Sequence, residues 1–598
     1  MTVSTHSLNG SVELNEDGDV VQFISTTPYL KNATEFFSGV VTDEVEFSHQ
    51  GGLTDVLNLT LSGAQETQQI RYTVDNSRPT DLSNLYNSPI SIGSNTVIRA
   101  AIFEPDFVPS ITQSRVYLVG QGHDLPVISL ITEDTNLWDH NNGMYVSGPN
   151  ASSEFPFFDA NFWQDWEKPM HLSIYKKDQS LLLEMDLGAK IFGGWSRGND
   201  QRSFSLFSRG RYGKSTIKGE LFDDVEYKKF QALVLRNSGQ DWLKTMFKDV
   251  SNSRLMVGSG IDYQAAQPSV VYINGEYWGL YNLREKVNEH FLASKHDVDL
   301  VDIVEGNGEL VHGDNRGFQN LMSVVESSDL SEDGSYAYVA DNIDIDNFIR
   351  YQVAQIYFDN HDWPGNNIKM WRPTDGKWRW ILYDTDFSFN NFPDWHEENS
   401  FDSLTFATAE FGDDWPNPPW STLLLRSLLS NDGFKINFIN QFADELNSRF
   451  EADRVYQHIA TQAAVIKSEM PAQQQRWADS SNIQDWQNEV SIMQTFALVR
   501  PGFIRGHIQN FFNISSIYQL TINNNLATRS VVKLNSLALQ QDVWQGQYFS
   551  SIPIQIEAMP QDDVIFSHWV VNDVTIEEAV IELTPNEDVT IEAVFIQQ

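Results

Sequence analysis

Hydrophobic and polar residues alternate strictly in two separate stretches of the chain. In the first, from 36 to 120, the runs LNLTLS, QIRYTV and NTVIRAAIF are separated by turn residues. In the second, from 516 to 598, the runs YQLTI, VVKLN, PIQIEAM and TIEAVF repeat the pattern. A period of two puts alternate side chains on opposite faces of a strand. We therefore predict a small all-β domain at each position, preceded by an N-terminal extension of residues 1–35.

The residues between the two predicted β domains, from 121 to 515, change character along their length. Strand-like runs come first, among them LPVISLI, MHLSIYKK, QALVLRN and SVVYING. Helical periodicity follows in DNFIRYQVAQIYFDN and in the long stretch that begins PWSTLLLRSLLSNDGFKINFINQF. A strand-rich front with a helix-rich back predicts a two-lobed α+β domain in the centre of a multidomain protein.

Composition narrows the possible partners and compartments. The chain has 598 residues and a formal net charge of −41, so its field repels nucleic acid and anionic membrane surfaces. Cysteine is absent, which excludes disulfides and thiolate chemistry. No run is apolar enough for a membrane span, and the N-terminus lacks the regions of a signal peptide. We expect an extracellular or cell-surface protein whose export signal has been removed.

One stretch, HDWPGNNIKMWRPTDGKWRWILYDTDFSF, combines carboxylates and amides with several tryptophans. Asp362 is followed five positions later by Asn367, and a predicted hairpin carries Asp384 back towards that loop, 22 positions after Asp362. Protein kinases use the same order, with a loop Asp for the acceptor hydroxyl and an Asn and a second Asp for metal ions. The alternative is that Asp362 only caps a turn and Asn367 is a turn amide.

A positive window lies upstream in this acidic chain. RGNDQRSFSLFSRGRYGKSTIK, from Arg197 to Lys218, holds six cations against the single acid Asp200. It follows IFGGWSRG, whose glycines free backbone N–H groups to approach phosphate oxygens. Charge and glycines together predict an anionic ligand.

A third stretch, SVVYINGEYWGLYNLREKVNEHFL, predicts a strand, an Asn-Gly turn, a second strand and then a helix that starts near Glu285. Glu285 could pair with a cation of the basic window, as a kinase helix Glu pairs with a strand Lys. Alternatively it is a solvated acid of the first helical turn, where the helix dipole favours it.

These three stretches resemble the CotH family, the spore-coat protein-kinase-like family that also occurs in exported bacterial proteins. The resemblance rests on GGWSRGNDQRSFSLFSRGRYG, VYINGEYWGLYNLRE and the DWPGNN to KWRWILYDTDFSF block. It implies an atypical kinase fold that transfers the γ-phosphoryl group of ATP to serine or threonine of a protein, with Mg²⁺ or Mn²⁺. The flanking modules resemble the chitobiase C-terminal β module, through YTVDNSRPT and TVIRA, and bacterial β-repeat modules, through FSHW and TIEAVF. Such accessory modules imply polysaccharide or cell-surface contact.

The resemblance also implies roles for individual residues. Asp362 matches the catalytic-loop acid, and the metal ligands would be Asn367, Asp384 and Asp386. Glu285 matches the family's Y-x-L-x-E glutamate, and Arg202 stands where the family usually has Lys before Ser. Nucleotide contacts are implied for Arg197, Gly194, Gly198 and Arg209.

Two other functions are compatible with these residues. The Arg202 substitution leaves open a non-catalytic surface or coat protein, or a carbohydrate-binding protein, with a kinase-like domain. Asp384-Thr385-Asp386 also matches the D-x-D motif of metal-dependent glycosyltransferases. A glycosyltransferase function does not account for the loop at Asp362.

Overall fold

The computed structural model describes residues 12–14, 20–22, 37–390, 399–478, 482–561 and 563–597. These residues form two compact units, each assembled from several chain segments. Unit 1 comprises residues 1–239, 266–286 and 465–483, and unit 2 comprises residues 240–265, 287–464 and 484–598. Apart from two short strands, the predicted extension of residues 1–35 lies outside the described residues. The two-lobed arrangement stays a prediction.

The N-terminal part of unit 1 is all β, as predicted. Its core is built by alternate apolar residues of the strands, among them Ile98, Ala100 and Ile102, all buried. A five-stranded sheet has the order β5-β13-β11-β8-β9. The strands are β1 (Val12–Leu14), β2 (Val20–Gln22), β3 (Gly39–Val40), β4 (Glu46–Phe47), β5 (Gly52–Thr54), β6 (Leu57–Leu59), β7 (Leu61–Ser62), β8 (Gln69–Thr73), β9 (Asn84–Leu85), β10 (Ile90–Ile92), β11 (Thr96–Phe103), β12 (Phe107–Val108) and β13 (Gln113–Val119).

The rest of unit 1 is built on a closed barrel with strand order β14-β15-β16-β17-β20-β23-β22. Hairpin β22–β23 turns at Asn274 and Gly275, both at positive φ, as the Asn-Gly signal predicted. The elements are β14 (Val127–Ile131), α1 (Asp134–Trp138), β15 (Lys168–Tyr175), β16 (Leu181–Phe192), β17 (Ser203–Phe207), β18 (Ile217–Lys218), β19 (Lys229–Phe230), β20 (Ala232–Arg236), β22 (Ala266–Ile273), β23 (Glu276–Glu285) and, much later in the chain, α11 (Met470–Trp477).

Unit 2 begins with α2 (Lys248–Leu255) and β21 (Asp262–Tyr263), which the chain inserts between barrel strands β20 and β22. A mixed sheet of order β21-β27-β26-β24-β25 follows, made of β24 (Val301–Glu305), β25 (Glu309–His312), β26 (Lys369–Pro373) and β27 (Arg379–Leu382). Strands β26 and β27 pair antiparallel, which confirms the predicted hairpin.

Helices make up most of the remaining chain before the C-terminal module. They are α3 (Glu289–His296), α4 (Arg316–Ser327), α5 (Asp333–Asn342), α6 (Ile345–Phe358), α7 (Ser403–Ala407), α8 (Pro419–Leu428), α9 (Asp432–Leu446), α10 (Ala452–Ile466) and α12 (Ile483–Phe512). Among the described residues, no helix is long and apolar enough to cross a membrane.

The C-terminal residues form a two-sheet β module, again as the alternation predicted. One sheet has the order β31-β28-β36-β33-β34 and the other β30-β29-β32-β35. The strands are β28 (Ile517–Asn524), β29 (Ser530–Leu534), β30 (Leu537–Leu539), β31 (Val543–Phe549), β32 (Ile554–Pro560), β33 (Val564–Val571), β34 (Val574–Ile576), β35 (Val580–Leu583) and β36 (Val589–Gln597).

Candidate active site

The loop between α6 and β26 carries the first candidate residues of unit 2. Helix α6 ends at Phe358, and the left-handed φ of 56° at the next residue, Asp359, turns the chain out of the helix. The loop then runs beside the segment that follows Asp384, because His361 N–H donates to the Phe387 carbonyl at 3.0 Å. This backbone contact brings together two residues that are 26 positions apart in the sequence.

Asp362 accepts hydrogen bonds on both carboxylate oxygens. Oδ1 accepts from Asn366 Nδ2 at 2.9 Å and from Trp415 Nε1 at 2.9 Å, and Oδ2 accepts from Asn367 Nδ2 at 2.7 Å. Burial raises the pKa of Asp362 to about 6, and the charge of Asp384 raises it too, while these three bonds oppose the shift. The carboxylate is therefore held in one orientation, close to a second acid.

Asp384 follows strand β27 after a single residue, Tyr383, and is half-buried. Its φ is 56°, the left-handed conformation, so the chain turns sharply there. Burial raises the pKa of Tyr383 well above its usual value, and the charges of both Asp384 and Asp362 add to that shift. The structure thus places the predicted acids around one point, with Asn367 bound to Asp362.

Helix α2 fixes the residues after Asp384, and the sequence analysis missed it. Thr385 donates its N–H and its hydroxyl to Asp249 Oδ1, at 2.9 and 3.0 Å. Asn252 Nδ2 donates to the Thr385 carbonyl at 3.2 Å and to Ser388 Oγ at 2.9 Å. The signal was present in KDVSNSRL, a polar run without an apolar stripe, in which Lys248 to Ser253 are all buried. Such a helix packs through hydrogen bonds.

Asp386 is buried, with 2% of its surface exposed, and lies near the equally buried Lys248. Burial lowers the pKa of Lys248 to about 8, and the nearby charges of Asp241, Glu489 and Asp386 raise it. Asp241 makes the largest of these acidic contributions, and the Lys248 backbone N–H donates to its Oδ2 at 3.0 Å. The metal-ligand role of Asp386 and the D-x-D interpretation stay predictions.

Trp415 is a second residue that the sequence analysis missed. It belongs to DWPN, at 414–417, which repeats the DWPG of 362–365. The two repeats contact each other, because Gly365 N–H donates to the Pro416 carbonyl at 2.6 Å. A Cβ on Gly365 would lie 2.2 Å from the Pro418 side chain, so only glycine fits. The internal repeat was the available signal.

The donor set of the site fits a hard divalent cation held partly by substrate oxygens. No group of three or more His, Cys, Asp or Glu residues able to hold a metal occurs in the described part of the chain. Mg²⁺ commonly uses only one or two protein carboxylates together with phosphate oxygens and water. The charge of Asp384 raises the pKa of Asp362, and a cation bound nearby would stabilise the charged form of that carboxylate. Asp384 and the Asn367 amide oxygen are the groups suited to hold it.

Several cations of the predicted basic window of unit 1 have partners within the protein, which the charge argument made from the sequence did not anticipate. Arg209 and Arg211 both bind Glu167, an acid that precedes the window. Arg197 donates to the Gly193 carbonyl at 2.5 Å and to the Trp163 carbonyl at 3.2 Å, and it stacks on the Trp163 ring. A sequence window does not show partners contributed by neighbouring segments.

The glycines of the predicted turn serve different purposes. A Cβ on Gly198 would lie 2.6 Å from the Phe155 ring, so this glycine is required for packing. Gly194 is exposed, and a Cβ there would meet no heavy atom within 4 Å. Neither observation tests the nucleotide contacts predicted for Gly194, Gly198, Arg197 and Arg209, which stay predictions.

Arg202 and Glu285 do not form the predicted pair. Glu285 is the last residue of strand β23. It does not start a helix, because α3 begins at Glu289. Glu285 pairs with Leu233, which pairs with Leu206, four residues from Arg202. At about 3.3 Å per residue this is roughly 13 Å along the strands. Glu285 instead accepts a hydrogen bond from Tyr227.

The Arg202 guanidinium lies over two aromatic rings, 4.0 Å from the Phe162 centroid and 4.9 Å from that of Tyr145. It also donates to the Asp200 carbonyl at 3.3 Å. Its surface is 7% exposed. These contacts assign Arg202 a packing role within unit 1.

Two families match this chain. The profile of the family described as CotH kinase protein matches residues 189–504, slightly more than half of the chain. The profile described as Chitobiase/beta-hexosaminidase C-terminal domain matches residues 49–114. Both confirm resemblances drawn from the sequence. No curated protein matches the chain.

Proposed function

Because the chain belongs to the CotH kinase protein family, we propose that it transfers the γ-phosphoryl group of ATP to a serine or threonine hydroxyl of a protein. The observation that carries the proposal is the environment of Asp362. Three side-chain N–H groups fix its carboxylate, a second acid lies close by, and its pKa is raised to about 6. A general base works best when its pKa lies near the working pH.

In this reaction the acceptor hydroxyl gives its proton to Asp362. The oxygen of the acceptor hydroxyl forms a bond to the γ-phosphorus of ATP. The bond between that phosphorus and the β–γ bridging oxygen breaks, which releases ADP. Asn366, Asn367 and Trp415 orient the carboxylate for this step. A divalent cation, when bound, supplies positive charge to the phosphate oxygens. Asp384 and Asn367 would hold it.

A non-catalytic surface protein is the second candidate, and one specific observation favours it. Arg202 packs between the Phe162 and Tyr145 rings and does not reach Glu285, so the Arg202–Glu285 pair that we inferred by analogy with protein kinases is not formed. In protein kinases the corresponding Lys–Glu pair must be in place for activity. The activity measurement below separates the two candidates.

We propose that the protein works outside the cell or at its surface, where the β module at residues 49–114 contacts polysaccharide. The support is the match of that module to the Chitobiase/beta-hexosaminidase C-terminal domain, together with the strongly acidic composition.

The decisive experiment is incubation with γ-labelled ATP and Mg²⁺ or Mn²⁺, with proteins of the same organism added as acceptors. Wild type should label itself or an acceptor, and Asp362→Asn and Asp384→Asn should abolish the label. Asp375→Asn is the matched control, because Asp375 is exposed in the turn of the same hairpin. Absence of label from wild type at every metal concentration would leave the non-catalytic candidate.

A further inference from the structure

An exposed aromatic and acidic segment lies directly beside the proposed base. It is the run EFGDDW from Glu410 to Trp415, every residue of which is exposed. Phe411 has 83% of its surface exposed and Trp415 has 44%. Large apolar side chains this exposed, next to a reacting group, are characteristic of surfaces that bind another molecule.

Trp415 connects this segment to the chemistry. Its indole N–H donates to Asp362 Oδ1 at 2.9 Å, and its ring stacks on Phe387 with centroids 6.3 Å apart and an interplanar angle of 28°. The indole is therefore fixed on both sides while almost half of its surface stays open. Anything that rests on the open part of Trp415 lies close to the carboxylate that would take the acceptor proton.

Backbone contacts define the shape of the segment. Asn417 N–H donates to the Asp413 carbonyl at 3.2 Å, and Asn417 Nδ2 donates to the Phe406 carbonyl at 2.7 Å. A Cβ on Gly412 would lie 2.2 Å from the Asn417 carbonyl oxygen, so the turn closes only around glycine. The exposure of Phe411 is thus built into a closed turn.

The negative charges of the segment select against acidic and phosphorylated partners. Glu410, Asp413 and Asp414 are exposed, and the run from 410 to 415 contains no cation. Such a surface repels carboxylates and phosphate groups, in a protein whose overall charge is already −41. A bound segment must therefore lack acidic residues, and a newly phosphorylated product is repelled.

We propose that residues Glu410 to Trp415 bind the protein acceptor, and that the preferred acceptor carries a large apolar side chain near its serine or threonine and no acidic neighbour. The inference rests on the proposed function. Phe411 and Trp415 supply the apolar contact, and the three acids supply the discrimination. The two aromatic residues and the three acids determine specificity. None of them takes part in the proton transfer, although Trp415 donates a hydrogen bond to Asp362.

The test uses three synthetic peptides with one serine each, flanked by leucine, alanine or glutamate. Wild type should have a KM for the leucine peptide about tenfold below that for the alanine peptide, the size typical of one buried apolar anchor. The glutamate peptide should be the poorest acceptor. Phe411→Ala should remove the difference between the leucine and alanine peptides without changing kcat or the KM for ATP.

The control variant is Phe158→Ala, an exposed aromatic of unit 1 that lies outside the segment. Binding of fluorescently labelled peptides is measured in parallel without ATP, so that the surface can be tested even if no phosphoryl transfer occurs. Peptide binding that depends on Phe411, with no transfer by wild type, would reject the proposed function and keep the surface.

Three outcomes would reject the surface itself. The first is that Phe411→Ala still discriminates between the leucine and alanine peptides. The second is that wild type prefers the glutamate peptide. The third is that a neutral oligosaccharide such as cellohexaose competes with the peptide for wild type but not for Phe411→Ala. The last would assign the segment to a polysaccharide.

Discussion

One carboxylate oxygen of Asp249 accepts two hydrogen bonds from Thr385, from the backbone N–H at 2.9 Å and from the hydroxyl at 3.0 Å. Thr385 follows Asp384, whose left-handed φ of 56° turns the chain sharply. The two bonds hold the residue next to Asp384 in place. Helix α2 therefore helps to position the Asp384 carboxylate.

We predict that Asp249→Asn weakens the binding of the metal ion that phosphoryl transfer requires. The neutral amide keeps one acceptor oxygen but loses the charge that strengthens both bonds from Thr385. The metal concentration for half-maximal activity should rise by about tenfold, as for other residues that orient a metal ligand. Asp453→Asn is the control, because Asp453 is an exposed acid in the first turn of α10. Identical metal titrations for wild type and Asp249→Asn would contradict this role.

The pKa of Asp362 predicts the acid limb of the pH profile. A base is active when deprotonated, so a pKa raised to about 6 means that kcat/KM falls about tenfold per pH unit below pH 6. Trp415→Phe removes a hydrogen bond that lowers this pKa, so its limb should move to higher pH. The profile is measured at low metal concentration, because a bound cation lowers the pKa. A wild-type limb near pH 4 would exclude Asp362 as the base.

Local geometry accounts for the part of the site that the sequence indicated, and the roles of its residues stay predictions. Asp362, Asn367 and Asp384 lie on either side of one hairpin, so antiparallel pairing is enough to bring them together. Glu285 was misplaced because a strand end and a helix start have similar polar patterns over a few residues. Asp249 and Asn252 were missed because their partner Thr385 is more than 130 residues away in the sequence, and hydrophobic periodicity does not report contacts between polar groups.

The packing of Arg202 predicts a change in stability with unchanged nucleotide binding. Arg202→Met keeps the apolar contact with Phe162 and Tyr145 but loses the cation–π interaction and the bond to the Asp200 carbonyl. We expect a loss of about 1–2 kcal/mol in the free energy of unfolding. The KM for ATP should stay within twofold of wild type.

Arg202→Lys distinguishes the packing role from a catalytic one. Lysine has no planar group to lie between the two rings. The free energy of unfolding of Arg202→Lys should therefore lie between those of wild type and Arg202→Met. A hundredfold loss of kcat in Arg202→Met with unchanged stability would indicate a preorganised catalytic donor instead.

A buried acid joins helix α9 to the C-terminal β module. Asp444 accepts hydrogen bonds from Tyr548 Oη at 2.7 Å and from Ser536, through Oγ at 2.6 Å and through N at 2.9 Å. Burial raises its pKa to about 6, despite these bonds. The charged carboxylate is thus less stable in the folded protein than in water.

This pKa fixes how docking of the module depends on pH. The pKa of Asp444 in the folded protein lies about two units above its value in the unfolded chain. The contribution of Asp444 to the free energy of unfolding is therefore fully present below about pH 4 and is lost as pH rises through 6. At pH 8 the free energy of unfolding is about 3 kcal/mol lower than below pH 4. Asp444→Asn resembles the protonated acid and should remove this dependence, whereas Asp542→Asn, an exposed acid of the same module, should not. Hydrogen exchange of the β29 and β32 amides at pH 4 and pH 8 measures the effect. Equal pH dependence in wild type and Asp444→Asn would show that other groups control the docking, since only the variant lacks the carboxyl group that titrates near pH 6.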